Sequence, residues 1–302
     1  MYTDSEGKKW WKGNVHMHTT HSDGRAEPEA ACKGYLEAGY DFIALTDHWK
    51  QSEEDSYQGM LMIPGVELDT MTDGCWHIVG LGMQRPIALQ RDEGGKRIHL
   101  PAQTLIDGIR EAGGLAILAH PAWSLEQPAD IVKLTGLAGT EIYNSVSGYP
   151  YSSRADSSVI LDLASVLGLR LPYLAVDDTH FYREEPYRGF IYVQADECTA
   201  PAIVEAIREG RFYASQGPRI YKDYFENGEY VVKVDQAVSV VFYSATYYQR
   251  DTTQVGDKEG LKEARFRLKA SDHFVRAMVT DSLGRHAWTS PRDVRLEDII
   301  KI

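Results

Sequence analysis

Cysteine is scarce in this sequence. Cys32, Cys75 and Cys198 are the only three in 302 residues, far apart and odd in number. They imply buried thiols in a reducing compartment and exclude a disulfide framework. No C-x-x-C pair and no N-x-S/T sequon occurs, and nowhere do 18 apolar residues run together, so no segment reads as a membrane-spanning helix. The opening MYTDSEGKKWWKGN has no apolar stretch of the kind a secretory signal needs. Basic residues are in deficit as well. Lys and Arg number 32 against 44 Asp and Glu, a formal charge of −12 with histidine neutral. Such a balance disfavours duplex nucleic acid and anionic membranes, both of which attract basic surfaces. Low-complexity tracts and long repeats are absent too. With 43% hydrophobic and 25% charged residues, the chain is expected to be a folded, soluble, cytoplasmic protein.

At roughly 100–200 residues per domain, the length fits one large domain, or one large and one small. From Gly13 to about Gly210, short apolar runs alternate with amphipathic ones. NVHMH (14–18), FIALT (42–46), MIPGVEL (62–68), HIVGLG (77–82), LAILAH (115–120), TEIYN (140–144) and PYLAVDD (172–178) read as strands, followed by GFIYVQA. Helices are predicted from Pro28 to Gly39, over 103–114, near 129–135, over about 154–167, and in APAIVEAIREG. This alternation predicts βαβ units around a parallel sheet or barrel. Past Gly217-Pro218 the pattern changes to alternating strands separated by turn signals, notably Asn227-Gly228 and Ser282-Leu283-Gly284. The expected division is therefore an α/β unit over 1–216 and a small all-β sandwich over 217–302. The polar stretch Gln90–Leu100 reads as a mobile rim.

Ten histidines are present, most of them in the first 180 residues at the ends of apolar strands. His16 and His18, two apart, project to one face. His48 follows strand two, Glu67 ends strand three, His77 opens strand four, His120 ends strand five, and Asp178 and His180 end strand seven. A lone His-x-His, Asp-His or strand-end glutamate is ordinary surface chemistry. Six histidines and three carboxylates converging on one rim, Asp23 included, point instead to metal binding. Imidazole with carboxylate suits manganese, iron or zinc, and the lack of cysteine ligands disfavours structural zinc. Nine ligands exceed the roughly four to six that one ion takes, so two or three ions sharing a carboxylate are expected.

The successive motifs HMHTTHSDG, LTDH, GVE, AHP and DDTH resemble those of the polymerase and histidinol phosphatase (PHP) family of metal-dependent phosphoesterases, over about residues 13–215. The segment opened by GRFYASQGP is similar to an immunoglobulin-like C-terminal domain of some bacterial members. The resemblance implies a distorted (β/α)7 TIM-like barrel with up to three ions at its C-terminal rim. His16, His18, Glu67 and Asp178 would hold the first ion, with Glu67 bridging to a second on His77 and His120. Asp23, His48 and His180 would hold the third, with His21 a neighbouring alternative to Asp23.

The expected chemistry is hydrolysis of a small phosphate ester, of nucleotide or sugar-phosphate type, by a metal-bridged hydroxide. Two ions about 3.5–4 Å apart lower the pKa of a shared water and clamp an in-line displacement. Glu67 and Asp178 then serve as catalytic carboxylates, and His21 is a candidate proton donor by position. Arg154 and Arg188 are candidates for phosphate contact, Asn144 for a hydrogen bond to substrate, and Trp123 or Trp49 for stacking. Trp10-Trp11 are expected to close the bottom of the barrel. Two alternatives share these motifs: a C–N hydrolase of the amidohydrolase type, and a non-catalytic PHP scaffold. Oligomeric partners leave no signal in the sequence.

Overall fold

The computed structural model of the chain describes residues 1–88, 98 and 100–299. The polar stretch Gln90–Leu100, with His99, therefore lies outside the described residues except for Ile98 and Leu100. Local rules account for the helices. Pro28 begins the helix Pro28–Glu37, its missing amide falling where the first turn has no partner, and Gly39 follows its end at φ +74°. In the helix Ala102–Glu111, the buried Ala102, Leu105, Ile106 and Ile109 form one stripe at helical spacing. That stripe joins a core containing Val66, Ile78, Ala116 and Leu118 of the sheet beneath.

Five strands form that sheet, in the order Tyr173–Val176, Leu137–Asn144, Leu115–Leu118, Trp76–Leu81 and Gly65–Thr70. The first three pair in parallel, as expected. Trp76–Leu81 does not: it is antiparallel to both neighbours. Only residues 71–75 separate it from the preceding strand, too few for a parallel crossover, so a hairpin is forced. MIPGVEL is likewise not one strand. Met60–Met62 pairs with Phe42–Ile43 in a second sheet, and the chain then passes Pro64, which has no amide to donate, before Gly65–Thr70 begins.

The second sheet carries Lys9–Asn14 beside Phe42–Ile43, then runs through Phe190–Gln194 and Phe212–Ser215 to His286–Trp288, Phe274–Thr280, Ser239–Ser244 and Thr253–Val255. It crosses the change of pattern at Gly217-Pro218, because Ala214 and Ser215 pair with Trp288 and Ala287. Trp10 and Trp11 lie within its Lys9–Asn14 strand, not before it. The β region adds a three-stranded sheet, Ile220–Glu226, Glu229–Ala237 and Leu261–Arg267, joined by the expected Asn227-Gly228 hairpin with both residues at positive φ. Tyr230, Val232 and Phe266 of this sheet share a core with Phe242, Val275, Ala277 and Val279 of the larger one. A short helix, Leu296–Ile299, departs from the all-β expectation.

No ladder closes these sheets into a barrel among the described residues. The two sheets on the histidine side meet through single bridges, Met17 with Thr179 and His48 with Glu67. The amide of His18 donates to Thr179 O at 2.9 Å, that of Asp178 to His16 O at 2.8 Å, and that of Trp49 to Glu67 O at 2.8 Å. Each bridge involves a residue from the histidine motifs, so the seam between the sheets also assembles the site.

Candidate metal centre

At that seam the structure gathers His16, His18, Asp23, His48, Glu67, His77, His120, Asp178 and His180. His16, His18, Glu67, His120 and Asp178 are buried, His48, His77 and His180 are partly so, and Asp23 is exposed. Their ligand atoms form overlapping groups able to hold an ion: His16, His18, Glu67 and Asp178; His18, Asp23, His48 and His180; and His48, Glu67 and His77. His120 adjoins them, with Nε2 3.5 Å from Glu67 Oε1 and 3.9 Å from Asp178 Oδ2. The hairpin explains His77. An antiparallel strand starts where its neighbour ends, so a residue that opens its strand still reaches the rim. Trp49, His120 and Asp178 take positive φ values of 58°, 28° and 52°. Such strained conformations persist only where the surroundings enforce them.

Glu67 Oε2 lies 3.1 Å from His16 Nε2 and 2.9 Å from His18 Nε2. Asp178 Oδ1 lies 3.2 Å and 3.1 Å from the same two nitrogens, which are 3.3 Å from each other. Outer partners fix the rings. His16 Nδ1 donates to Glu141 Oε1 at 2.6 Å, and His180 Nδ1 donates to the Asp178 carbonyl at 2.8 Å. Because carboxylate and carbonyl can only accept, these bonds assign the proton to Nδ1 and leave an Nε2 lone pair facing the centre. His120 Nδ1 pairs with Ser124 Oγ at 3.0 Å, a hydroxyl that can accept from the ring or donate to it. Lone pairs facing carboxylate oxygens at about 3 Å demand either protons or cations between them, and this donor set fits divalent ions.

The electrostatics say the same. Burial opposes charge on His16, yet Asp178, Glu67 and Glu141 outweigh it and hold its pKa well above the ordinary histidine value. Burial also opposes charge on His77 and His180, but facing Glu67 and the Cys75 hydrogen bond raise the first to about 10, and Asp23 and Asp178 raise the second to about 9. Glu67 and Asp178, whose burial alone would raise them, are held well below the carboxylate range by the histidines around them. A hydrogen bond from His180 does the same to Asp23. Cations binding here would displace these protons.

Several supporting groups were not anticipated from the sequence. Buried Glu141 binds His16 and, through Oε2, the His120 amide at 2.9 Å and Asn144 Nδ2 at 2.8 Å. Asp47 accepts from Thr19 N, Thr19 Oγ1 and Ser22 Oγ, each at 2.7 Å, fixing the turn that carries Asp23. Glu185 accepts from the amides of His180, Phe181, Tyr182 and Arg183. The available signal was a carboxylate in an otherwise apolar context, as in TEIYN.

Expected substrate contacts are placed differently. Asn144 is buried, with Nδ2 also 3.0 Å from Asp178 Oδ2 and Oδ1 accepting from Ser147, so its amide group is engaged between Asp178 and Ser147. Arg154 and Arg188 are exposed and do not line the cavity above the cluster. Trp49 is buried and donates to Asp69 at 2.7 Å, whereas Trp123 stands at the cavity wall. His21 is exposed in an adjoining cleft with Asp23, His48 and His77.

No protein-family model and no curated protein matches this chain. Among solved structures, a two-domain protein from Bacteroides vulgatus ATCC 8482, containing a predicted PHP-like metal-dependent phosphoesterase, is similar across 98% of this chain and 90% of its own. The TM-score is 0.53 and the identity 15%. The chain has a PHP-like two-domain α/β fold. Two further structures overlap at TM-score 0.41. A proposed metal-dependent phosphoesterase from Bifidobacterium adolescentis ATCC 15703 shares 12% identity over 65% of this chain and 94% of its own. An amidohydrolase from Chromobacterium violaceum, with bound sulfate and no metal, shares 18% over 57% and 89%. Within the PHP-like fold of this chain, the cluster occupies the seam between the two sheets. No described helix is long and apolar enough to cross a membrane.

Proposed function

We propose that this protein is a PHP-family metal-dependent hydrolase acting on small phosphate esters, a phosphoric-ester hydrolase working in the cytoplasm. The observation that carries the reading is the convergence of imidazole Nε2 atoms on two buried carboxylates, Glu67 and Asp178, at 2.9–3.2 Å. In this reading the two sheets make a distorted (β/α)7 barrel whose seam is bridged at the rim. Residues 1–216 form the catalytic unit and 217–302 an immunoglobulin-like module flanking it. Two or three divalent ions (manganese, iron or zinc) would supply Lewis acidity and a nucleophilic water near neutral pH.

The residues divide the work. His16, His18, Glu67 and Asp178 would hold the innermost ion, His77 and His120 with Glu67 a second, and Asp23, His48 and His180 an outer one. Three carboxylates against three divalent ions leave about three positive formal charges, matched to a phosphate that brings nearly two negative ones. An acidic exterior therefore does not conflict with an anionic substrate, although it still disfavours duplex DNA. His21 is the candidate proton donor to the leaving group, supported by its exposed place in the cleft beside His48 and His77.

The test is direct. Protein reconstituted with manganese is assayed for bound metal and for turnover of p-nitrophenyl phosphate, its bis-ester and nucleotides. At least two equivalents of metal are expected, with Glu67→Gln and His120→Ala losing most turnover. Fewer than two equivalents, or full activity in both variants, refutes the reading.

A further inference from the structure

The cavity above the metal ligands carries aromatic side chains beside Ser147 and Ser152, and they bear on what the site takes. The cavity, about 350 Å³, falls within the roughly 300–1,000 Å³ typical of small-molecule sites. Its floor is His48, Glu67, His77, His120, Asp178 and His180. Trp123, 41% exposed, lines the cavity with its ring edge-on to His120 and His77, centroids 5.0 and 5.8 Å away. Tyr151, 38% exposed, also lines the cavity, stacked on Phe181 with centroids 4.2 Å apart and planes at 22°. This Tyr151–Phe181 pair is built, not adventitious. Tyr151 OH donates to Glu184 at 2.8 Å, Phe181 is fixed by Glu185 through its amide, and the Arg25 guanidinium lies 4.9 Å from the Phe181 centroid. Val146 adds a further apolar side chain, and the described lining contains neither Lys nor Arg.

We infer that the site selects esters whose leaving group is a planar aromatic ring, taken between Trp123 and the Tyr151–Phe181 stack. The inference rests on the hydrolase reading above and narrows its substrate class. Large apolar rings gain most from aromatic walls, while an ester of a polyhydroxylated sugar would leave them unmatched.

Binding of phenylphosphonate and methylphosphonate to the manganese-loaded full chain is measured by calorimetry, which requires no turnover. Phenylphosphonate is expected to bind about tenfold tighter. Trp123→Ala and Tyr151→Ala should each erase most of that gap. Tyr151, at the surface, keeps the test available if the Trp123 variant fails to fold. Equal binding of the two phosphonates, or a gap that survives both substitutions, overturns the inference. If neither phosphonate binds, hydrolysis of phenyl acetate is compared with that of ethyl acetate. An aryl preference lost in the Tyr151 variant would then sustain the aromatic wall while removing the phosphoester reading. No preference, or no turnover of either ester, removes both.

Discussion

Glu141 Oε1 and His16 Nδ1 lie 2.6 Å apart, both fully enclosed, and this bond sets which nitrogen of His16 faces the centre. Glu141 touches no proposed ion, yet through its other oxygen it also fixes the amide of His120 and Nδ2 of Asn144. Outer partners of this kind are typically worth 10–100-fold in metal affinity. Glu141→Gln keeps the shape but removes the charge that favours the Nδ1–H tautomer. We expect it to weaken manganese binding by about tenfold or more, read by metal titration, with the circular dichroism spectrum unchanged.

A second carboxylate, Glu185, gathers the amides of four successive residues, His180 to Arg183, around its oxygens. Its loss frees the loop that presents His180 to the outer site, while His16, His18 and Glu67 stand on other segments and Asp178, just before the loop, is held by its own amide bond to His16 O. Glu185→Ala should therefore raise amide hydrogen exchange over 180–183 and cost the most weakly held ion. The buried group should retain its own. Loss of all bound metal, or unchanged exchange in this loop, would refute the prediction.

The joint between the two parts of the chain offers a stability test. Arg276 is fully buried, and its Nε donates to Asp162 Oδ1 at 2.6 Å and its Nη2 to Oδ2 at 2.7 Å. The guanidinium also sits 3.9 Å from the Tyr243 ring centroid. Asp162→Ala strands a buried positive charge, which typically costs about 3–5 kcal/mol. The expected loss is about 3 kcal/mol in urea unfolding. Asp162→Leu with Arg276→Met should recover most of it, because no charge is then left buried.

How much of this could be read in the sequence differs residue by residue. The α/β class, though not a closed barrel, and the gathering of nine side chains were legible because short motifs fall at strand ends, where an α/β topology collects them. His77 opens its strand and still reaches the rim, because the connection from Gly65–Thr70 to Trp76–Leu81 is too short for anything but a hairpin, a pairing the motifs alone do not state. A position near the rim does not reveal which way a side chain faces: Asn144 is turned inward, and the two arginines stand outside the lining of the cavity. Glu141 was passed over because a single glutamate in TEIYN gives no hint of its partners 21 and 125 residues away. The sheet shared across Gly217-Pro218 depends on pairing Phe212–Ser215 with His286–Trp288, a long-range choice that local patterning does not encode.

Glu126 links burial to pH in a way that can be measured without knowing the substrate. It is buried in the loop after the AHPAW motif, and its Oε1 has no hydrogen-bond partner among the described residues. Burial, reinforced by the nearby carboxylates of Asp130 and Asp73 and only partly offset by His77, lifts its pKa from 4.5 to about 8. Between these values the folded chain holds a proton on Glu126 that the unfolded chain has released. Stability must then fall as pH rises from about 4.5 to about 8, and level off above that, as far as this group is concerned. Glu126→Gln keeps the volume and cannot ionise, so it should abolish this part of the slope. The variant should match the parent near pH 4.5 and exceed it by about 1 kcal/mol or more near pH 8, a rise of about 2–4 °C in Tm for a chain of this size. Thermal scans of both proteins across that range decide the matter: parallel curves would mean that Glu126 is ionised in the folded protein at neutral pH.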